Sequence, residues 1–324
     1  LCSAKVVDGR WDSVLHFDAN AVGEDKLGYF VANNVIRRAL YAEHAARSDA
    51  VLMAESEMAG LRTGRHGGTV MLADGREIRA KLIVAADTRF SAARRMTGIA
   101  ASLHDFGTTM IVTKVRFVRP HDCVAWECFL PGGSLAILPL NNREASLVQT
   151  FPPEEAKRQM GLEIGSYLEA ANRRLKHRLG AMTSLSERFA YPLVGVYANE
   201  FVRPGFALVG DAAVGMHPIT AHGFNLGLQG QSILSEHIRR GLACGRGPAD
   251  PRALAGYERA HRRLSAGLYG STLAGAELYS RESLPAKLAR RALLDAGRLL
   301  TPARHMLMKS LTQPLPRAFS DLDA

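Results

Sequence analysis

The sequence predicts a mixed α/β fold in three parts: a discontinuous α/β domain, an antiparallel sheet domain inserted into it, and a helical carboxyl-terminal tail. Three observations carry that prediction. Two apolar runs of strand length, one ending at Asp87 and one at Gly210-Asp211, each lead through a turn into a helical pattern. Between them, residues 109–118, 124–130, 134–139 and 144–150 alternate or run apolar like sheet strands, with Pro131-Gly132-Gly133 and Asn141-Asn142 as turns. Beyond residue 223 the pattern is helical almost throughout. These place the discontinuous domain at 1–100 and 201–245, the inserted sheet domain at 101–200 and the tail at 246–324.

In order along the chain, a loop DKLGYFVANN precedes the helical run VIRRALYAEHAARSD. Short strands follow, from Glu57 to Arg62 and on both sides of Asp74-Gly75, a dipeptide that favours a tight hairpin. One long helix with a polar face is predicted from Glu154 to about Arg178. Phe206 to Val209 reads as a buried strand, and a helix from about Gly223 to Arg240 follows a loop rich in Gly and Pro. A linker over 241–251 leads into the tail.

Composition narrows the function classes. The excess of 41 Lys and Arg over 31 Asp and Glu favours anionic partners: nucleic acid, phosphate cofactors or an anionic membrane face. With two Trp and no zinc-finger, basic-zipper or aromatic RNA-binding signature, no nucleic-acid partner is expected. No apolar run of membrane-spanning length appears, and the amino end lacks the apolar core of a signal peptide. Four cysteines in 324 residues make no disulfide framework, which points to a reducing cytoplasm. Cys123 and Cys128, five apart in a strand, face opposite ways and are not expected to share a metal.

The residues that carry chemistry sit in two blocks. In VGDAAVGMHPITAHGFNLGLQGQ, residues 209–231, a buried strand delivers Gly210 and Asp211 at its carboxyl end, where open α/β sheets bind ligands. Asp211 offers a carboxylate to hydroxyl or amide donors. Pro218, Gly223 and Gly227 tighten the loop and helix that follow, and the helix start near Gly223 and Asn225 aims unpaired N–H groups at whatever lies above. His217 and His222 are five apart with no acidic partner at ligand spacing, so no metal site is expected. His222 either bonds locally or touches the ligand. In LIVAADTRFSAARRMTG, residues 82–98, a strand ends at Asp87 and Ser91 is placed to cap a helix with Arg94 in its first turn.

Together these blocks resemble the single-component FAD-dependent aromatic hydroxylases, and among them the ubiquinone-biosynthesis hydroxylases, with AVGMHPITAHGFNLGL and AADTRFS nearest the demethoxyubiquinol hydroxylase branch. LGYFVANNVIRRAL and FLPGGSLAILPL are similar to that family's aromatic loop with its FAD-reaching helix and to its substrate-pocket wall. The resemblance implies an FAD/NAD(P)-binding Rossmann-like domain, FAD as cofactor, NAD(P)H as electron donor and O₂ as oxidant, with a polyprenylated phenol or quinol as substrate. It also implies roles. Asp211 and Gly210 would meet the ribityl chain; Pro218, Ala221, His222, Gly223 and Asn225 would lie beside the flavin ring; Asp87 and Arg37 would lie toward the ribose and adenine. It names no catalytic acid or base.

The chain departs from that family in three places. Thr88 stands where the motif has Gly, Val214 stands where the family has His, and no Gly-x-Gly-x-x-Gly occurs in the 324 residues. That phosphate cradle opens the family's fold, and with a first residue other than Met we expect a fragment of a longer enzyme. The same absence keeps open a truncated product or a non-catalytic scaffold subunit among quinone-biosynthesis proteins, beside two flavoprotein alternatives, a halogenase or a prenyl reductase. The tail between Arg281 and Ser310 holds seven Lys or Arg against Glu282 and Asp295, interleaved with Leu and Met. Such a stretch suits a peripheral place on the inner-membrane surface or a helix docked on the protein itself.

Overall fold

A computed structural model describes residues 1–8, 10–130 and 132–280. The chain divides into two compact units. One comprises Leu1–Val51 and Gly107–Leu193 with residues 278–280, the other Leu52–Phe106 and Val194–Glu277.

The chain opens with a hairpin of β1 (Ser3–Asp8) and β2 (Arg10–Asp18). Asp18 ends it by accepting a bond from the Asn20 backbone at 3.1 Å. Helix α1 (Asn33–Ala45) follows and buries none of its residues. Next come β3 (Met58–Gly64), β4 (Gly67–Leu72) and β5 (Glu77–Ala80), an antiparallel sheet whose second turn is the expected Asp74-Gly75, with Gly75 at φ +87°. Strand β6 (Ile83–Ala85) leads to the short α2 (Ala92–Met96).

The long β7 (Ala101–Phe117) carries the chain into the first unit, where β8 (Val124–Leu130), β9 (Gly133–Pro139) and β10 (Glu144–Phe151) form the expected antiparallel meander. Its order is β7-β10-β9-β8, continued by β1, which runs parallel to β8, and by β2. The hydrogen bonds between β1 and β8 put residues 1–51 in the sheet unit, whereas the sequence had assigned them to the discontinuous domain. Every second residue of β10 is buried, as a sheet covered on one face requires.

The single helix expected over 154–178 is two helices, α3 (Pro153–Gly161) and α4 (Ile164–Arg174). Leu162 turns extended (ψ 151°) and Glu163 caps α4, its carboxylate accepting from the Ser166 backbone at 3.2 Å. Ala156, Tyr167, Leu168, Ala171 and Leu175 of these helices pack on Ile111, Val115, Cys128, Leu135, Ile137 and Leu147. Strand β11 (Met182–Ser184) pairs with β7, and β12 (Phe189–Ala198), which the sequence had not suggested, carries the chain back.

In the second unit β13 (Val202–Arg203) pairs with β14 (Phe206–Leu208), and β14 runs parallel to β6, Leu208 opposite Ala85. Strand β15 (Val214–Gly215) pairs with the end of β12. Helix α5 (Gly223–Ala243) follows, and α6 (Pro251–Ser280) begins where Pro suits a helix's first turn. The linker is therefore shorter than expected. Phe201, Phe206, Leu208, Leu226, Leu234, Leu254 and Tyr257 form this unit's core. The Tyr257 hydroxyl donates to the Leu208 carbonyl at 2.6 Å and so ties α6 to β14. Among the described residues no helix is long and apolar enough to cross a membrane. The basic tail beyond Ser280 lies outside the described residues.

Candidate functional site

Two neighbouring parallel strands set the site. β6 and β14 both end by turning toward a helix, so Asp87 and Asp211 leave the carboxyl edge of one small sheet, where α/β folds collect ligands. After Val209 the chain coils into a single 3-10 turn, Gly210–Ala212, with Gly210 at φ +60°. That left-handed backbone is open to glycine at little cost. Gly227 of α5 lies so near that a methyl group there would sit 3.4 Å from the Gly210 Cα.

Two arginines hold this turn. Arg94, only 4% exposed, donates to the Ala212 carbonyl at 2.7 Å and to the Arg89 carbonyl at 2.9 Å. Its own backbone N–H donates to the Ser91 hydroxyl at 2.9 Å, which is the helix cap expected from sequence. Burial holds the Arg94 guanidinium below its ordinary pKa, opposed by the carboxylate of Asp87. Arg89 donates to Asp211 Oδ2 at 2.9 Å and to the Val194 carbonyl at 3.0 Å. Asp87 Oδ2 accepts from the Ala93 backbone at 3.4 Å and Thr88 Oγ1 from Phe90 at 3.1 Å, so both shape the α2 entrance. Thr88 keeps a negative φ, as its side chain requires.

The loop after the turn is built from backbone. His217 Nδ1 accepts from Ile219 at 3.1 Å and opens a second 3-10 turn, Pro218–Thr220, which ends with Ala221 at φ +52°. Burial, and then the charge of Arg89, push the His217 imidazole down to about 4, so it is neutral at pH 7. Its ring meets Phe106 edge-on at 4.5 Å. His222 precedes α5 but gives it no side-chain cap, and its buried Nδ1 has no partner among the described residues. The α5 first turn therefore presents N–H groups free to meet an anion or a carbonyl.

These residues fit a flavin. Asp211 is 39% exposed and Arg89 occupies only its Oδ2, leaving the other oxygen to accept a hydroxyl. Apart from the adjoining backbone, no atom of the described residues lies within 4 Å of the place a methyl group would take on Gly210 or on Gly223. The His222 Nδ1 and the uncapped α5 start add polar groups with no partner among the described residues. Pro218, Ala221 and Asn225 are exposed along the same loop and helix start. Arg37 is exposed on α1 in the other unit and is not one of the residues this turn gathers. Sequence reasoning missed Arg89, and the only signal for it was its place between Thr88 and Ser91 in the motif. Among the described residues no group of His, Cys, Asp and Glu could hold a metal ion.

Comparison with known proteins shows the family. Residues 18–269 match a family model described as FAD binding domain. Ubiquinone hydroxylase UbiM of Neisseria meningitidis is 35% identical over 316 residues, 96% of this chain and 68% of that protein. Ubiquinone hydroxylase UbiL of Rhodospirillum rubrum is 34% identical, covering 94% of this chain and 71% of that one. The 3-demethoxyubiquinol 3-hydroxylase of Escherichia coli is 31% identical over 67% of this chain and 56% of its own. Among solved structures, Klebsiella pneumoniae HpxO complexed with FAD and uric acid shares the fold, with a TM-score of 0.73 at 16% identity over 98% of this chain and 82% of that one.

Proposed function

The chain belongs to the ubiquinone-biosynthesis family of FAD-dependent hydroxylases, and on that premise we propose that it hydroxylates the aromatic ring of a polyprenylated phenol or quinol with NAD(P)H and O₂. The observation that carries the reading is the Asp211 turn: a half-exposed carboxylate fixed by Arg89 and Arg94 beside an uncapped helix start. FAD, when bound, supplies the redox chemistry. The chain's part is to hold it. Asp211 would accept ribityl hydroxyls and the N–H groups of Gly223 to Asn225 would meet the electron-rich end of the ring, while neutral His217 adds no charge to the loop. Asp87 lies toward the ribose. The absence of a nucleophile triad suits a reaction whose difficult step belongs to the cofactor.

The test is the visible absorbance spectrum of the protein expressed from its natural locus. Flavin bands that NAD(P)H bleaches and air restores, with one oxygen added to a prenylated phenol, are the expected result. A colourless protein that takes up no FAD refutes the reading and favours a scaffold role. The basic, Leu-rich stretch after Arg281 supports a peripheral position at an anionic inner-membrane face, where a polyprenyl substrate resides and other quinone-biosynthesis proteins would meet it. Co-sedimentation with anionic but not neutral vesicles tests that position.

A further inference from the structure

The sheet of the first unit has two faces, and α3 and α4 cover only one. Register fixes what the other carries. Glu127 lies opposite Ala136 of β9 and Val6 of β1, Ala136 opposite Val148 of β10, and Val148 opposite Val112 of β7. Strand alternation groups these with Phe129, Leu138 and Met110, away from the Cys128, Ile137 and Leu147 core. Most of these side chains are half-buried rather than sealed, and Phe129 stacks on Tyr279 with ring centres 3.8 Å apart.

Several polar groups of that face pair with one another. The Ser134 and Thr150 hydroxyls bond each other at 2.7 Å. Lys114 and Arg116 both pair with Glu144. The Glu127 carboxyl has neither a hydrogen bond nor an ion pair among the described residues. An unpartnered carboxyl on an apolar surface is costly to fold around, and such groups concentrate where a ligand completes them.

We propose that Glu127 is the polar contact of a phenol-binding wall, hydrogen-bonding a ring hydroxyl of a substrate whose ring and prenyl chain lie on the apolar surface of β8, β9 and β10. The inference rests on the hydroxylase reading above and names the residue that recognises its substrate. A prenylated phenol is an apolar molecule with one polar end, and this wall sets the Glu127 carboxyl among apolar side chains. Burial pushes the Glu127 carboxyl up to about 8, so at neutral pH it carries a proton and can both donate and accept. A phenol, with an ordinary pKa of about 10, is also neutral there, and the pair forms without an unmatched charge.

The experiment is calorimetric titration of the FAD-loaded protein with a short-chain prenylated phenol and with the same molecule lacking its hydroxyl. Wild type, Glu127→Gln and Glu127→Leu are compared, and the melting temperature and flavin content of each report on folding. Wild type should prefer the phenol by about tenfold, the worth of one buried hydrogen bond. Glu127→Gln should keep most of that preference, because its amide still donates and accepts, while Glu127→Leu should bind the two molecules alike. A Leu variant that keeps the preference, or loses both molecules equally, overturns the proposal. So does a wild type that binds neither molecule or does not discriminate, a result that needs no variant to fold. Hydroxyl recognition through Glu127 without oxygenation of the phenol would instead count against the hydroxylase reading alone.

Discussion

Replacing Arg94 by Ala tests the link between the fold and the cofactor turn. The Ala212 carbonyl is buried on a fully buried residue and takes its bond from Arg94 at 2.7 Å. Left unpaired, such a carbonyl costs about 1–3 kcal/mol. The second bond, to the Arg89 carbonyl at 2.9 Å, lies nearer solvent and adds about 0.5–1.5 kcal/mol. Against these stands relief from burying a cation whose pKa burial already depresses. The net expectation is a loss of about 1–4 kcal/mol of stability in the unit that carries the turn. Because Asp211 precedes Ala212, the loosened turn should also weaken FAD binding by about tenfold, or ~1.4 kcal/mol. Urea unfolding followed by circular dichroism measures the first quantity, and quenching of flavin fluorescence the second. Arg94→Lys, which can reach one carbonyl but not both, should fall between. An Ala variant with the wild-type urea midpoint and flavin affinity would show that Arg94 does not hold the turn.

Asp211→Ala should lower FAD affinity by about tenfold or more with little loss of stability, since its partly exposed pair with Arg89 is worth under about 1 kcal/mol; equal flavin content in both proteins would count against that role. Tyr257→Phe should cost about 1–3 kcal/mol by leaving the buried Leu208 carbonyl without its donor, read from the same urea curves. His217 and His261 are both pushed down to about 4 by burial, against an unfolded value of 6.5. Between those values the unfolded chain binds more protons, so stability present above pH 6.5 is lost as pH falls toward 4. The stability gap between wild type and His261→Gln should accordingly narrow over that window, and a constant gap would refute the assignment. Gly133→Ala should fail to fold normally, because at φ +136° a methyl group would land on the Thr150 carbonyl oxygen.

Much of this molecule was legible in its residues, and the illegible parts have physical causes. The β8–β10 meander follows from alternation and strong turn residues, and α5 from its periodicity. The turns at Asp87 and Asp211 stood out because apolar strands end there abruptly. The β1–β2 hairpin was missed although Asp8-Gly9 is the same hairpin dipeptide that located the turn at Asp74-Gly75. Pro192 hid β12, since Pro argues against a strand interior. The break between α3 and α4 was masked by good helix formers on both sides of Gly161, and only the tertiary packing of Tyr167 and Leu168 resolves it. Arg89 could not be recognised, because what marks it is a partner 122 residues away.

That separation has a consequence for how the protein comes to exist. Closing a flexible loop of 122 residues costs about 4 kcal/mol of chain entropy, so the Arg89–Asp211 pair cannot nucleate folding. The β8–β10 meander, made of neighbours in sequence, closes far shorter loops. During synthesis Arg89 and Arg94 emerge long before Asp211 and Ala212, and wait as unpaired cations until the carboxyl-terminal half of the chain arrives. A ligand that binds this turn only in the folded chain stabilises the protein by mass action.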